Sequence, residues 1–320
     1  MMTSIKKAAE ILRQGGVVAF PTETVYGLGA RVFDDKAVAR IFAVKGRPFD
    51  NPLIVHIADQ EQLRLVTPEV PAIATHLIKA FWPGPLTLVL KRSHAVPALV
   101  SAGLATVAVR MPNHKDALAL IRELNEPIAA PSANRSGRPS PTSAQYVRKE
   151  LGASVDFILE GGPCEVGLES TVLDLISSIP RILRPGAVTL TSLRSIVGEV
   201  TPYSEGHHAV SSPGQKHPHY APALKLVLVE PNEWQDVLRE ALRLGKKIGT
   251  ISIYKEVRAN DYSPLHYGRV MSGISDYAKN LFAAFYEAEA VGVEILFVEK
   301  VANEGLGVAI MDRLERAKCS

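Results

Sequence analysis

The sequence has few cysteines, and the two that it has are isolated. Cys164 and Cys319 lie far apart among 320 residues, and neither belongs to a CxxC pair. This scarcity argues against a disulfide framework and against a zinc site built from thiolates. It is typical of proteins from a reducing compartment, and we therefore expect a cytoplasmic protein.

Long apolar segments are also absent from the sequence. The longest apolar stretches, such as Leu86–Leu90 and Leu224–Val229, have the length of a strand, whereas a membrane-spanning helix needs roughly 20 apolar residues. The first residues, Met1–Lys7, contain no apolar region of the kind found in secretory signals. We expect neither membrane attachment nor export.

Several motifs that indicate a particular catalytic or binding activity are missing as well. The sequence contains no GxxxxGK[ST] phosphate-binding loop, no HExxH metal motif and no GxSxG nucleophile turn. A nucleotide site in this chain would therefore have to be built from other groups.

The composition is that of a folded protein. Hydrophobic residues make up 47% of the chain and charged residues 22%, which is the profile of a globular protein and not of a disordered one. A length of 320 residues suits two domains. The formal net charge of +3 permits anionic substrates, but nucleic-acid-binding proteins usually show a concentrated basic patch.

Residues 1–205 alternate short strands with helices, and we interpret them as one domain with an open, twisted, mixed sheet. Apolar residues recur at helical spacing near residues 5–12, 37–44 and 73–81, which predicts a helix in each of these segments. The predicted strands are Val17–Phe20, Leu53–Val55, Leu86–Leu90, Val107–Val109, Ile128–Ala130, Phe157–Leu159, Thr171–Leu175 and Ile182–Leu183.

The composition changes after residue 200. Proline, glycine, serine and histidine dominate there, and we interpret residues 206–222 as a linker. Residues 223–320 then repeat a β-α pattern, with strands at Leu224–Val229, Ile248–Ile253 and Ile295–Val298. This order predicts a smaller, three-layer, Rossmann-like domain, and the absence of GxGxxG argues against dinucleotide binding.

Two groups of polar residues near the first strands have alternative interpretations. Pro21–Gly29 follows the first strand and could hold a ligand against the backbone or form a simple turn. Lys45 and Arg47 flank a helix end, where cations complement the helix dipole, and they could also clamp a polyphosphate. Taken alone, His56 would more often be a structural histidine than a ligand.

Further polar groups follow later strands. Arg110 ends an apolar strand and could bind a substrate carboxylate or form a structural salt bridge. Hydroxyl or guanidinium groups also follow three other strands, in Pro131–Gly137, Gly167–Thr171 and Arg184–Gly186. A single anion-binding cleft accounts for all of these strand ends together.

The linker region contains four of the nine histidines, but no carboxylate or cysteine accompanies them in a metal-binding pattern. We therefore expect no metal site there. The four residues are His207, His208, His217 and His219.

Taken together, eight strings of this sequence resemble the threonylcarbamoyl-AMP synthases of the YrdC/YwlC group, in their long two-domain form. The resemblance spans most of the first 222 residues in the expected order, and it is looser after that. The matching strings are PTETVYGLGA at Pro21, KGRPFDNPLIVH at Lys45, FWPGPLTLVL at Phe81, VAVRMP at Val107, PIAAPSANRSGRPSPT at Pro127, GLESTVLD at Gly167, ILRPGAVT at Ile182 and SPGQKHPHYAP at Ser212.

The resemblance implies a YrdC-like catalytic domain with a concave cleft, and it implies a reaction. Threonine and bicarbonate give N-carboxythreonine, whose carbamate oxygen attacks the α-phosphorus of ATP. The products are threonylcarbamoyl-AMP and diphosphate. A partner transferase complex then modifies the adenosine next to the anticodon in tRNAs that read codons beginning with A.

The resemblance also assigns roles to particular residues. It implies that Lys45, Arg47 and Arg110 serve the reaction directly, with Mg²⁺ held by the ATP phosphates and by no protein ligand. The linker would fold over the cleft as a lid that excludes water. The implied threonine site is Thr24, His56, Arg110, the backbone of Ala130, and Ser170. The implied ATP site is Lys45, Arg47, Asn51, Thr106, Ser132, Ser140, Arg184 and Tyr220.

Two other functions fit parts of the same pattern. An RNA-binding module of this fold would bind RNA in a steeply salt-dependent way without ATP or threonine, and weak tRNA binding is compatible with the concave surface. Dispersed cations and a net charge of +3 argue against RNA binding as the main role. Carbamoyl transfer in hydrogenase maturation uses a similar domain fused to zinc fingers, which two cysteines cannot supply.

Overall fold

The computed structural model describes residues 3–204, 219–243, 245–253 and 265–318. These residues form two compact units. The first unit holds the described residues of 3–136 and 140–204, and the second holds Gly137–Pro139 together with those from 219 onward. The sequence did not predict that Gly137–Pro139 would group with the C-terminal part. Most of the predicted linker, residues 206–218, lies outside the described residues.

The first unit contains a nine-stranded mixed sheet, which confirms the predicted sheet type. The strand order is β7-β1-β2-β6-β3-β5-β4-β8-β9. Pairs β1·β7, β3·β5 and β4·β8 are parallel, and the other five are antiparallel. The strands are β1 (Val18–Phe20), β2 (Gly27–Arg31), β3 (Ile54–His56), β4 (Leu86–Lys91), β5 (Thr106–Arg110), β6 (Ile128–Ala130), β7 (Phe157–Ile158), β8 (Thr171–Asp174) and β9 (Arg181–Arg184).

Seven α-helices connect these strands, which is more than the sequence predicted. The helices are α1 (Ser4–Arg13), α2 (Asp35–Lys45), α3 (Gln60–Val66), α4 (Ala72–Phe81), α5 (Lys115–Leu124), α6 (Ala144–Leu151) and α7 (Leu190–Val197). Of the four that the periodicity did not reveal, α3, α6 and α7 have at most eight residues, and tertiary packing stabilises such short helices more than local propensity does. The fourth, α5, is as long as α1 and was missed. In the part of the chain that is described, no helix is long and apolar enough to cross a membrane.

The first strand is buried on both of its faces. Successive side chains of a strand point to opposite sides of the sheet. Ala19 accordingly lies in the larger core cluster, while Val18 and Phe20 lie in a smaller one with residues of α1 and α5. A strand held from both sides is a rigid base for the polar turn that follows it at Pro21.

Helix α2 is delimited by standard capping groups. The side chain of Asp34 accepts a hydrogen bond from the backbone N–H of Ala37 at 3.0 Å, which fixes the start of the helix. Gly46 ends the helix with a φ of 60°, the left-handed conformation that glycine adopts without strain. This ending fixes the chain direction between the neighbouring cations Lys45 and Arg47.

The second unit is an α/β domain with an entirely parallel sheet, which confirms the predicted class. The strand order is β10-β13-β11-β12. Strand β12 was not predicted, and it is the next described element after β11, since residues 254–264 lie outside the described residues. The elements are β10 (Lys225–Val229), α8 (Trp234–Arg243), β11 (Ile248–Ser252), β12 (Leu265–Val270), α9 (Ile274–Ala290), β13 (Ile295–Glu299) and α10 (Gly307–Lys318).

Candidate active site

The parallel pairing of β3 and β5 brings two of the predicted site residues side by side. His56 ends β3 and pairs in register with Arg110, which ends β5. Both side chains are buried, with 4% and 3% of their surface exposed. The sheet therefore places an imidazole and a guanidinium together inside the first unit.

Arg110 is held by three contacts of different kinds. Its Nε donates to the carbonyl oxygen of Gly84 at 3.1 Å, and its Nη1 donates to Oγ1 of Thr24 at 2.8 Å. Its Nη2 lies 2.6 Å from Oε2 of Glu23, whose side chain is also buried. The sequence left open whether Arg110 would form a salt bridge, and the structure shows one.

The turn after β1 presents Glu23 and Thr24 to this arginine. Oγ1 of Thr22 accepts hydrogen bonds from the backbone N–H groups of Thr24 and Val25 at 3.2 and 3.3 Å. Such local bonds from a threonine hydroxyl stabilise a turn. Oγ1 of Thr22 also lies 2.8 Å from Oγ1 of Thr24. The two threonines thus fix the direction in which Glu23 points.

His56 is neutral in this environment. Burial lowers the pKa of its imidazole to about 3, and the nearby Arg110 guanidinium adds to the effect. The ring lies edge-on to Phe20 at 5.7 Å, and its Nδ1 lies 3.2 Å from the carbonyl oxygen of Ile54. His56 therefore adds a polar group beside Arg110 without adding a second positive charge.

Lys45 connects the end of α2 to the loop after β6. Its Nζ donates to the carbonyl oxygen of Ser132 at 2.6 Å and to that of Asn134. The backbone N–H of Ser136 in turn donates to the carbonyl oxygen of Lys45 at 2.8 Å. Burial holds the pKa of the Lys45 ammonium well below its usual value, and the Arg47 guanidinium lowers it further.

Arg47 stabilises the turn that leads into β3. Its Nε donates to the carbonyl oxygen of Asn51 at 3.1 Å, and its Nη2 donates to that of Pro52 at 2.9 Å. The side chains of Arg47 and Asn51 are both buried. The predicted ATP ligands Arg47 and Asn51 thus belong to one local structure.

Arg184, at the end of β9, reaches across to the chain segment before β8. Its Nε and Nη2 donate to the carbonyl oxygen and to Oγ of Ser170, both at 3.1 Å. Oγ of Ser170 also lies 2.7 Å from Oγ1 of Thr87 on β4. A Cβ atom on Gly186 would lie 2.4 Å from the backbone nitrogen of Thr171, so this approach requires glycine.

Backbone contacts join these groups into one region of the first unit. Thr171 N–H donates to the carbonyl oxygen of Pro85 at 3.0 Å, next to the Gly84 carbonyl that Arg110 binds. The loop after β6 lies against the turn after β1, because Ala133 N–H donates to the carbonyl oxygen of Tyr26 at 2.8 Å. Such a cluster of cations and hydroxyl groups is suited to bind anions.

Family models account for nearly the whole chain. Residues 10–186 match the family described as "Telomere recombination", and residues 188–318 match the "Threonylcarbamoyl-AMP synthase, C-terminal domain". A threonylcarbamoyl-AMP synthase of Pyrococcus abyssi is 43% identical over 98% of this chain and 93% of its own length. The chain belongs to the threonylcarbamoyl-AMP synthase family. This finding confirms the resemblance that the sequence strings predicted.

A second relative and a solved structure extend the comparison. The threonylcarbamoyl-AMP synthase of Bacillus subtilis is 44% identical over 98% of this chain and 92% of its own length. The crystal structure of P. abyssi Sua5, solved in complex with L-threonine, matches with a TM-score of 0.91 and 43% identity. That match covers 98% of this chain and 94% of the solved one.

The structure brings most of the predicted site residues into the first unit. Thr106 is half-buried and begins β5, at the opposite end of the strand from Arg110. Because Ile54 pairs with Ala108 in the parallel register, Thr106 lies beside the segment that leads from Asn51 into β3. The other predicted residues described above in this unit are Thr24, Lys45, Arg47, His56, Ser132, Ser170 and Arg184.

Tyr220 is placed differently from the other predicted residues. It belongs to the second unit, where its ring stacks on Phe282 at 5.4 Å and lies 5.4 Å from the guanidinium of Arg313. It is 4% exposed, and its φ of 69° is unusual for a residue with a side chain. Its contact with a nucleotide remains a prediction, and the predicted lid lies mainly outside the described residues.

Three polar residues of this region were not predicted from the sequence. Glu23 contacts Arg110, the carbonyl of Asn134 accepts from Lys45, and Glu169 accepts a hydrogen bond from Oγ of the predicted ligand Ser140. All three occur inside the quoted family strings. A carboxylate within a string of hydroxyl residues at a strand end was the signal that could have identified Glu23.

Proposed function

We propose that this chain makes threonylcarbamoyl-AMP and diphosphate from L-threonine, bicarbonate and ATP. The observation that carries the proposal is the match over 98% of the chain to two enzymes of that name, at 43% and 44% identity. The product would supply the threonylcarbamoyl group for the adenosine next to the anticodon. A partner transferase complex, acting on tRNAs that read codons beginning with A, would complete the modification.

The proposed threonine site is the cluster around Arg110. A guanidinium binds a carboxylate through two parallel hydrogen bonds, and Arg110 is buried where such a bond is strong. Hydroxyl and backbone groups nearby would bind the rest of the amino acid. The proposed ligands are Thr24, His56, Arg110, the backbone of Ala130, and Ser170.

The proposed ATP site uses the remaining cations and hydroxyl groups. Lys45 and Arg47 would hold phosphate oxygens, Lys45 as a point charge and Arg47 through its planar guanidinium. A phosphate beside Lys45 would favour its charged form and so offset the effect of burial on its pKa. The proposed ligands are Lys45, Arg47, Asn51, Thr106, Ser132, Ser140, Arg184 and Tyr220.

The proposed chemistry needs positioning and charge stabilisation more than a reactive side chain. A carbamate oxygen forms a bond to the α-phosphorus of ATP while the bond to the diphosphate oxygen breaks. Holding two anionic reactants together overcomes their repulsion and their loss of freedom. Cations fixed around the phosphorus stabilise the charge that develops in the transition state. Lys45, Arg47 and Arg110 are the residues proposed for these tasks.

The donor groups of the site fit magnesium only as a companion of ATP. Within the described ranges, no three His, Cys, Asp or Glu side chains are grouped so that they could hold a metal ion. Guanidinium, ammonium and hydroxyl groups bind phosphate oxygens, whereas Mg²⁺ prefers carboxylates, water and phosphates. We therefore propose that Mg²⁺ is carried by the phosphates, where it would offset their charge.

The proposed compartment is the cytoplasm, where threonine, bicarbonate, ATP and tRNA occur together. Direct tRNA binding would be at most weak, since the net charge of +3 is modest. The partner is proposed to receive a labile mixed anhydride, which hydrolyses when water reaches it. Exclusion of water by the predicted lid would protect that product.

A single assay tests this function. The protein is incubated with ATP, Mg²⁺, bicarbonate and labelled threonine, and diphosphate release is measured with each substrate omitted in turn. We expect release that depends on both threonine and bicarbonate, together with a labelled adenylate on chromatography. Release that continues without threonine would contradict the proposal.

A further inference from the structure

Glu23 is a buried carboxylate whose hydrogen-bonding capacity is unused. It is 3% exposed, and within the described residues neither of its oxygens accepts a hydrogen bond. A carboxylate can accept about four hydrogen bonds, and a buried polar group without them is costly. The 2.6 Å contact with Nη2 of Arg110 supplies charge attraction, but its geometry does not form a hydrogen bond.

Arg110 has a complementary unused group at the same place. Its Nε and Nη1 donate to Gly84 and Thr24, whereas its Nη2 donates no hydrogen bond to any described residue. A guanidinium nitrogen and two carboxylate oxygens, all without a hydrogen-bond partner among the described residues, therefore lie next to each other. An amino acid at neutral pH carries the opposite pair, an α-carboxylate beside an α-ammonium group, and the ammonium has three N–H donors.

Two titratable groups beside this pair, one near Glu23 and one near Arg110, leave its balance of one positive and one negative charge unchanged. Burial raises the pKa of the Cys164 thiol to about 12, with the Glu23 carboxylate as the next cause, so the thiol stays neutral at pH 7. Burial lowers the pKa of His56 to about 3, so the ring is neutral as well. Glu23 and Arg110 are then the charged groups of this cluster, and together they match a zwitterion.

We propose that Glu23 accepts hydrogen bonds from the α-ammonium group of threonine and takes one of its protons. This inference rests on the proposed function and adds a residue to it. The four charges would then alternate, with the substrate carboxylate on Arg110 and the substrate ammonium on Glu23. Such an arrangement pairs every buried charge, which burial requires.

The proton transfer prepares threonine for the first step of the reaction, the carboxylation of its nitrogen. An ammonium group has no lone pair, so threonine cannot attack carbon until one N–H proton leaves. That proton moves to a Glu23 oxygen, which gives a neutral carboxylic acid and a neutral amine. The amine nitrogen then bonds to the carbon of bicarbonate, and one oxygen of bicarbonate leaves as water. The product of this step is N-carboxythreonine. General bases in hydrogen-bond reach of the reacting group speed such steps.

The test compares two ligands that differ only in the amine. Threonine and (R)-3-hydroxybutanoate, which lacks the α-amino group, are titrated into the wild-type protein by calorimetry without ATP or bicarbonate. The same titrations use Glu23→Gln, which is neutral and of similar size, and Glu165→Gln as a control at an exposed position. Thermal unfolding of each variant verifies that it is folded.

We expect Glu23→Gln to bind threonine ten- to a hundredfold more weakly, the usual effect of losing a charged hydrogen bond. Binding of 3-hydroxybutanoate should change less than threefold, and Glu165→Gln should bind both ligands as the wild type does. Equal losses for both ligands would mean that Glu23 only orients Arg110, and this would overturn the proposal. Unchanged threonine binding would overturn it as well.

Two further measurements keep the test decisive. If Glu23→Gln does not fold, the wild-type protein still answers the question, because 3-hydroxybutanoate binding as tight as that of threonine would rule out an ammonium site. In turnover, the activity of Glu23→Gln should rise with pH more steeply than that of the wild type, since solution then supplies neutral amine. A wild-type protein that binds threonine but makes no adenylate would instead count against the proposed function.

Discussion

At the scale of single residues, the proposed threonine site depends on how Arg110 is held. Two of its nitrogens donate to Gly84 and Thr24, which are neutral and fix its orientation. The third nitrogen faces the carboxylate of Glu23 at 2.6 Å. A guanidinium fixed in this way can bind a carboxylate with little loss of conformational freedom, which is the advantage of a preorganised site.

Replacing Arg110 with alanine tests its assignment to threonine. We expect the KM for threonine to rise by about ten- to a hundredfold, the effect of losing a charge-assisted hydrogen bond, while the KM for ATP changes little. Steady-state kinetics with each substrate varied in turn would measure both values. Arg31→Ala is the matched control, since Arg31 ends β2 of the same sheet and pairs with Glu126 at 2.8 Å. Equal effects of Arg110→Ala on both substrates would refute the assignment.

His56 makes the stability of the first unit depend on pH. Its pKa is about 3 in the folded protein and about 6.5 in an unfolded chain. The unfolded state therefore takes up a proton below pH 6.5 while the folded state stays neutral until about pH 3. The free energy of unfolding should fall by about 1.4 kcal/mol per pH unit in this window because of His56.

Urea unfolding at several pH values measures this effect. A His56→Gln variant should lose part of the slope between pH 6.5 and about pH 4, because glutamine does not titrate. His76→Gln is the control, since His76 lies on the outer face of α4 and is exposed. Identical slopes for the wild type and His56→Gln would show that His56 is not responsible.

The sequence predicted which types of residue form the site, but it did not predict which of these side chains contact one another. Hydroxyl and guanidinium groups at strand ends indicated a common anion site, and the structure brings most of them together. The contact of Glu23 with Arg110 could not be predicted in the same way. It depends on packing between segments as far apart as Thr24 and Arg110, which are separated by 86 positions.

At the scale of secondary-structure elements, the loop after β9 is fixed by a close approach. Gly186 lies so near the segment before β8 that a Cβ atom would be 2.4 Å from the nitrogen of Thr171 and 2.7 Å from the oxygen of Glu169. These are backbone atoms, which cannot rotate away as a side chain can. The same loop begins with Arg184, which binds Ser170.

A Gly186→Ala substitution should therefore shift this loop and weaken ATP binding. We expect the KM for ATP to rise several-fold and the stability of the first unit to fall by about 2 kcal/mol, the usual cost of overpacking. Gly103→Ala is the control, because no atom lies within 4 Å of the added Cβ, although its φ of 79° adds a backbone strain that Gly186, whose φ is not positive, does not have. A loss of stability no greater than that of Gly103→Ala would contradict the expected clash.

The elements that the sequence failed to predict have weak local signals. Strand β2 reads GLGAR, and glycine has a low preference for strands. Its burial between β1 and β6 stabilises it, which is a tertiary effect. Strand β12 alternates half-buried and exposed positions at the edge of its sheet, so it lacks the apolar run by which the other strands of that unit were predicted.

At the scale of the whole molecule, the second unit is not one continuous segment of chain. It includes Gly137–Pro139, and Nη2 of Arg138 donates to both carboxylate oxygens of Glu289, at 2.7 and 2.8 Å. The hydroxyl of Tyr286 donates to the carbonyl oxygen of Pro139 at 2.7 Å. A sequence pattern cannot predict such a grouping, because three residues inside a longer loop have no periodicity.

Tyr220 is an anchor of the second unit, and its removal should weaken that unit selectively. We expect Tyr220→Ala to destabilise it by about 3 kcal/mol, since the ring packs between Phe282 and Arg313. Hydrogen exchange should speed up in α9 and α10 and stay unchanged in β4 and β5. Activity should fall while the first unit stays folded. Unchanged exchange in α9 and α10 would refute the anchor role.

The proposed reaction joins carbon from bicarbonate to threonine and then transfers the AMP group of ATP to the resulting carbamate, with release of diphosphate. Mass spectrometry of the adenylate made with carbon-13 bicarbonate tests it most directly. We expect threonylcarbamoyl-AMP one mass unit heavier than the product of ordinary bicarbonate, formed only when threonine is present. An adenylate of threonine that carries no added carbon, and no heavy label, would contradict the account.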